Sequence, residues 1–308
     1  MGEYWNEEDP RAYKYRYSIG FAYVTISLFA MVNHLIIINI FLRHPTFKNQ
    51  ICYRLMANLS VFEFLIALGY MSIGMFTLYQ DTLHQLIENF FCGLTFAGGL
   101  GVYSLTTLIA FNRFAALSDL PRISDIRPSF YKSVTIIIWL ICCLYQLLLF
   151  TPLLSFTFYY DVGMAVMEPS TALAPFFNYC FYHYYLLSIG TSLLLYLLAA
   201  VMLIRRRRRI NFQSERLLSK AEKKLLMVAF VTCLVCCLDV LITYYGIPYF
   251  FPDSLEAAIQ MLLVQWNFGF VNPILYVLIN SELRAVVFSW RKSQLFEART
   301  LQIQSTLN

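Results

Sequence analysis

The sequence predicts an all-α membrane protein: a seven-transmembrane helix bundle with its N-terminus outside and a short amphipathic eighth helix. Three observations predict it. Of 308 residues, 59% are hydrophobic and 13% charged, whereas soluble domains are about half apolar and about a quarter charged. The apolar residues fall in seven long blocks, each reaching the roughly 20 residues that a bilayer-spanning helix needs. Lysine and arginine collect in alternate connections, as they do on a cytoplasmic face. The net charge of +5 is too small to point to nucleic acid. Composition and blocks together exclude a soluble enzyme, a disordered regulator and a disulfide-rich secreted module.

The blocks run over residues 17–42, 55–79, 90–112, 133–156, 176–204, 225–249 and 257–280. Backbone polar groups in hydrocarbon must be satisfied internally, so each block is predicted to be a helix. The alternating segments of about ten residues that mark membrane β-strands are absent. The first block follows the acidic residues Glu3, Glu7, Glu8 and Asp9 and is too long for a cleaved leader, so it reads as an uncleaved anchor. The second holds Glu63 and the sixth holds Asp239; no other carboxylate and no lysine or arginine lies in any block. The third opens at Cys92 and ends at Asn112, and the seventh carries Pro273 near its end.

Twenty of the 23 basic residues lie in the connections 43–54, 113–132 and 205–224 and in the tail. Connections 80–91, 157–178 and 250–256 contain none. All basic connections on one face requires an odd number of spans and an outside N-terminus. The chain therefore divides into an extracellular N-terminus, 1–16, a transmembrane domain, 17–280, and a cytoplasmic eighth helix with its tail, 281–308. In that tail Leu283, Val286, Val287 and Trp290 have the spacing of a helix lying on the membrane.

Six of the eight cysteines fall within spans or near the cytoplasmic face, where they read as small hydrophobes. Cys92 and Cys180 are the two on the oxidising side. A bridge between them would tie the second outer connection to the third helix. The alternative is that Cys180 packs within the fifth helix.

Asn272-Pro273-Ile274-Leu275-Tyr276 resembles the NPxxY element of rhodopsin-like G-protein-coupled receptors. The following Asn280–Arg284 looks like the start of their eighth helix. Pro273 removes a helix hydrogen bond and loosens the inner end of its span. Asn33 and Glu63 stand where that family keeps an Asn and an Asp, which implies a polar network of Asn33, Glu63 and Asn272. In the family this acid lines a pocket containing water and sodium; the extra methylene of Glu63 speaks against sodium here. Asn112-Arg113-Phe114 stands where the family has DRY, so the resting Asp–Arg ion pair cannot form. The sixth span has Cys237-Leu238-Asp239 in place of CWxP. The Cys52–Met56 opening of the second span and the Asn112-Arg113 pair resemble nematode serpentine chemoreceptors, classes T and X in particular.

The resemblance implies a receptor that binds a small organic ligand and rearranges its helices for a heterotrimeric G-protein. It implies activation-switch roles for Asn112, Arg113, Asn272, Pro273 and Tyr276. Arg113, Lys220, Lys223 and Lys224 are the expected G-protein contacts, while Arg205–Arg209 read equally well as a lipid-facing anchor. Tyr103, Tyr182, Asp239, Tyr244, Gln265 and Trp266 are expected around an aromatic ligand pocket, although Tyr and Trp also form interfacial belts. Asp239 either faces the cavity or bonds a neighbouring helix. The expected location is the plasma membrane of a sensory cell, at a cilium. No enzyme motif, cofactor site or metal-ligand spacing occurs, and the seventh span has no lysine for a retinal Schiff base. A rival class is a seven-span ion-coupled transporter or channel subunit that uses Glu63 and Asp239, although such a path needs broken helices or more intramembrane charge.

Overall fold

The structure, a computed structural model, describes residues 10–118, 126–160, 163–209, 227, 230–238, 241–242, 253–280 and 282–288. Its helices are α1 (Pro10–Arg43), α2 (Pro45–Lys48), α3 (Ile51–Tyr79), α4 (Gln85–Leu117), α5 (Pro128–Leu148), α6 (Ala174–Arg209), α7 (Asp253–Trp266) and α8 (Asn272–Ile279). A π-helical turn, Asn267–Val271, joins α7 to α8. Residues 230–238 and 282–288 are also helical. Six helical stretches among the described residues are long and apolar enough to cross a bilayer: Arg16–Arg43, Ile51–Tyr79, Gln85–Leu117, Pro128–Leu148, Ala174–Arg205 and Ala258–Leu278. They correspond to expected spans one to five and seven. Of the sixth, 225–249, the described residues 230–238 are helical.

Helices α1, α3 and α4 pack side by side, and α4 also meets α5 and α6. Glycines set the close approaches. A Cβ on Gly101 would lie 2.4 Å from the Phe62 ring, and one on Gly74 would lie 2.9 Å from the Gly20 carbonyl. Such contacts suit a membrane interior, where small residues let helix backbones meet without help from the hydrophobic effect. Phe62 in turn stacks on Trp139 at 4.1 Å, and Trp139 Nε1 donates to Asn58 Oδ1 at 3.1 Å. These contacts fasten α5 to α3.

The expected fourth span, 133–156, is corrected at its outer end. Helix α5 stops at Leu148, ahead of Pro152, which lacks the amide hydrogen that helix continuation needs. The chain then forms an antiparallel hairpin that the sequence reading did not anticipate. Strand β1 (Phe156–Tyr159) pairs with β2 (Met164–Met167), Phe156 opposite Met167 and Tyr159 opposite Met164. Gly163 supplies a left-handed turn residue at φ 60° and lies against Thr77, Tyr23 and Ile19. Side chains alternate as in a half-buried strand: Phe156, Phe158, Ala165 and Met167 are buried. Phe156 lies against Phe96 and Phe158 against Phe76, so the hairpin covers the C-terminal end of α3 and the N-terminal part of α4.

At the other end α2 drives Phe47 into an aromatic cluster. Its ring is 4.7 Å from that of Tyr53, and Phe41 is 5.8 Å from Tyr276. Asn280 Oδ1 accepts the amides of Glu282 and Leu283 and so caps the following helix, while its Nδ2 donates to Tyr53 Oη at 3.0 Å.

Candidate functional site

Glu63 in α3 is a fully buried carboxylate, 0% exposed. Asn272 Nδ2 donates to its Oε1. Asn272 Oδ1 accepts from the Thr232 hydroxyl at 3.1 Å, which brings the sixth expected span into the cluster. The other carboxylate oxygen, Oε2, lies 3.5 Å from His34 Nδ1. His34 Nε2 in turn meets the Phe268 carbonyl oxygen at 3.0 Å.

Pro273 explains why that carbonyl is available. Residues 267–271 form a π turn, and π bonding would pair carbonyl 268 with the amide of residue 273. Proline has no such amide, so the Phe268 oxygen accepts from α1 instead.

The expected partner Asn33 is corrected to His34. One residue along a helix is a rotation of about 100°. His34 is 0% exposed and faces α3, whereas Asn33 is half-buried on the adjoining flank. His34, like Asn33 beside it, is a polar side chain within a mainly apolar span, and such groups in spans default to function.

At the end of α4 away from the hairpin, Arg113 donates to the Cys52 sulfur and lies close to Tyr196 and Tyr53. Cys52 is a partner of Arg113 that the sequence reading missed. Arg113, Thr106, Tyr196, Thr232, Asn272 and Tyr276 line a cavity of about 20 Å³, enough for one or two waters. Asn272 thus belongs both to the Glu63 cluster and to the wall facing Arg113. Asn112 is half-buried beside it. Lys220, Lys223 and Lys224 lie outside the described residues.

Cys92 and Cys180 are free thiols and not a bridge, which corrects the first reading. Cys92 is fully buried in α4, and Cys180 sits within α6, as the alternative reading had it. Hydrogen bonds hold the hairpin where the bridge was expected. Asn89 Oδ1 accepts the Phe156 amide at 2.8 Å and its Nδ2 donates to the Leu149 carbonyl at 2.9 Å. Gln85 donates to the Phe156 carbonyl at 2.7 Å. Glu88 accepts the Phe158 amide at 2.6 Å and the Thr82 hydroxyl at 3.0 Å. Beyond β2, Glu168 accepts from the Thr157 and Ser170 hydroxyls and the Ser170 amide, which holds its carboxyl below the usual range.

The expected ligand residues divide. Tyr103 is buried, 4.5 Å from the Tyr185 ring and edge-on to Phe268. Beside it, hydroxyls join α4 to α6: Ser104 meets Tyr184 at 2.5 Å and Thr107 meets Ser188 at 2.7 Å. Tyr182 is half-buried and edge-on to His183. Gln265 is corrected: its amide donates to the Tyr23 carbonyl and the Ser27 hydroxyl, so it fastens α7 to α1. Trp266 is corrected as well, being 52% exposed and stacked on Phe270 on the outer surface. Asp239 and Tyr244 lie outside the described residues.

The helix bundle has a counterpart among solved structures. Squid rhodopsin shares the fold: the match has a TM-score of 0.75 at 15% identity and covers 94% of this chain and 90% of that one. No family model matches the chain, and no curated protein does.

Proposed function

We propose that the chain is a G-protein-coupled receptor of the plasma membrane, responding to a small organic ligand and serving chemosensation in a ciliated sensory cell. The observation that carries this reading is the continuity from Glu63 through Asn272 to the cavity beside Arg113, within a rhodopsin-like fold. A ligand that favours one packing of the bundle shifts the population toward it. The aromatic and hydroxyl surface of Tyr103, Ser104, Thr107, Tyr184 and Tyr185 offers apolar walls with a few fixed polar groups, which suits a small organic molecule. The inner ends of the helices then open around Arg113 for a heterotrimeric G-protein. The transporter reading has less support, because the Glu63 hydrogen bond is made to Asn272 and not toward a path.

The test is nucleotide exchange on co-expressed G-proteins, screened against volatile and small water-soluble organic compounds. At least one compound accelerates exchange, and Arg113→Ala abolishes the response while surface expression is retained. Ligand-gated ion flux in vesicles without any G-protein would instead favour the transporter.

A further inference from the structure

His34 and Glu63 face each other in a fully buried site: both are 0% exposed, and His34 Nδ1 and Glu63 Oε2 have no hydrogen-bond partner in the protein. Their neighbours fix where hydrogens must be. The Phe268 carbonyl can only accept, so His34 Nε2 carries a hydrogen. A neutral imidazole of that tautomer presents a bare lone pair at Nδ1, and an ionised carboxylate has only acceptors. Two acceptors would then confront one another at 3.5 Å. A water donating to both would hold the two acceptors about 4.5 Å apart, two ordinary hydrogen bonds meeting at the bent water angle, which is wider than the observed gap.

One added hydrogen resolves the conflict. We infer that His34 and Glu63 form a proton-binding site, holding a single proton as the Glu63 carboxylic acid, which donates from Oε2 to His34 Nδ1. The donors then run in one direction, from Thr232 to Asn272, to Glu63, to His34 and to the Phe268 carbonyl. Aligned hydrogen bonds of this kind polarise one another. The neutral form also avoids a buried, unpaired charge. The groups facing Glu63 are His34 from α1 and Asn272 and Tyr276 from the last span. Among the described residues no lysine or arginine acts on it.

A sodium ion, implied by the receptor resemblance, does not fit this donor set. Hard cations take oxygen ligands. Here Oε2 faces a ring nitrogen, and Asn272 presents its NH2 to Glu63 because its own oxygen accepts from Thr232.

Infrared spectroscopy and a sodium titration of the purified full chain in lipid nanodiscs test the inference. At neutral pH the wild type shows a protonated-carboxyl band that shifts in heavy water and is lost in Glu63→Gln. His34→Asn retains the acid and moves the band to a different frequency, which serves if Glu63→Gln fails to fold. The wild-type melting temperature is the same in sodium chloride as in choline chloride of equal ionic strength, a comparison that needs no variant. A spectrum without a band assignable to Glu63 overturns the inference, and so does saturable stabilisation by sodium. Neither readout uses a G-protein or a ligand, so failure here leaves the receptor proposal standing, and the converse holds.

Discussion

The two ends of the bundle are held by different means. At the outer end, three consecutive-turn side chains of α4, Gln85, Glu88 and Asn89, bind main-chain groups of the hairpin and its approach. At the inner end, Arg113 rests on a thiol and beside a small polar cavity. Helix α4, 33 residues long, connects the two. At about 1.5 Å per residue it spans about 50 Å, well beyond a hydrocarbon core of about 30 Å. One rigid rod thus has a clamped end and a lightly restrained end, and freedom to rearrange is concentrated at the second.

Breaking the clamp has the largest expected effect. Asn89→Ala strands the Phe156 amide and the Leu149 carbonyl in buried surroundings. At about 1–3 kcal/mol for each stranded group, the protein loses about 4 kcal/mol, seen as a lower melting temperature in detergent. Next comes the α3–α4 contact that the rod depends on. In Gly101→Ala the new methyl meets the Phe62 ring at 2.4 Å, an overpacking that costs about 1–3 kcal/mol. Gly190→Ala is the matched control, since nothing lies within 4 Å of its added Cβ; its melting temperature stays at or slightly above the wild-type value, because alanine suits a helix interior better than glycine does.

At the inner end the expected change is in activity more than in stability. Cys52→Asp places a charged partner beside Arg113. Basal nucleotide exchange on a coupled G-protein falls by about tenfold, the size of a typical coupling free energy between conformational states. Cys52→Ala raises it. The smallest effect belongs to Glu168, whose lowered pKa comes from bonds donated by Thr157 and Ser170. A depressed carboxyl contributes stability above the ordinary carboxylate range and loses it as pH falls through the folded value. The wild type therefore melts slightly lower on acidification through that range, and Glu168→Gln shows a smaller decrease over the same step.

Much of the fold was legible because spans carry a strong signal. Blocks of Leu, Ile and Phe bounded by arginines leave few options, so α1 and α3 end within one residue of expectation, while they begin seven and four residues earlier than expected. The hairpin was not legible: Phe156–Tyr159 and Met164–Met167 are as apolar as a span, and four residues are too few for their alternation to stand out. Glu63 and Asn272 could be read from their types and positions, since buried acids and a Pro-linked Asn have few bland roles. His34 could not be told from Asn33, because choosing between adjacent residues requires the helix rotation, and the apolar residues around them surround the helix on all sides. Cys52 was read as packing because a thiol gives no sign in sequence of facing an arginine.

The comparison between the two ends is tested most directly by distances between spin labels in nanodiscs, measured by pulsed electron resonance. An inner pair at Ala116 and Met227 and an outer pair at Tyr79 and Phe176 all use exposed positions. On adding nucleotide-free G-protein, the inner distance gains a second, longer population while the outer distance keeps its single value. An outer pair that separates while the inner pair stays fixed would contradict the account.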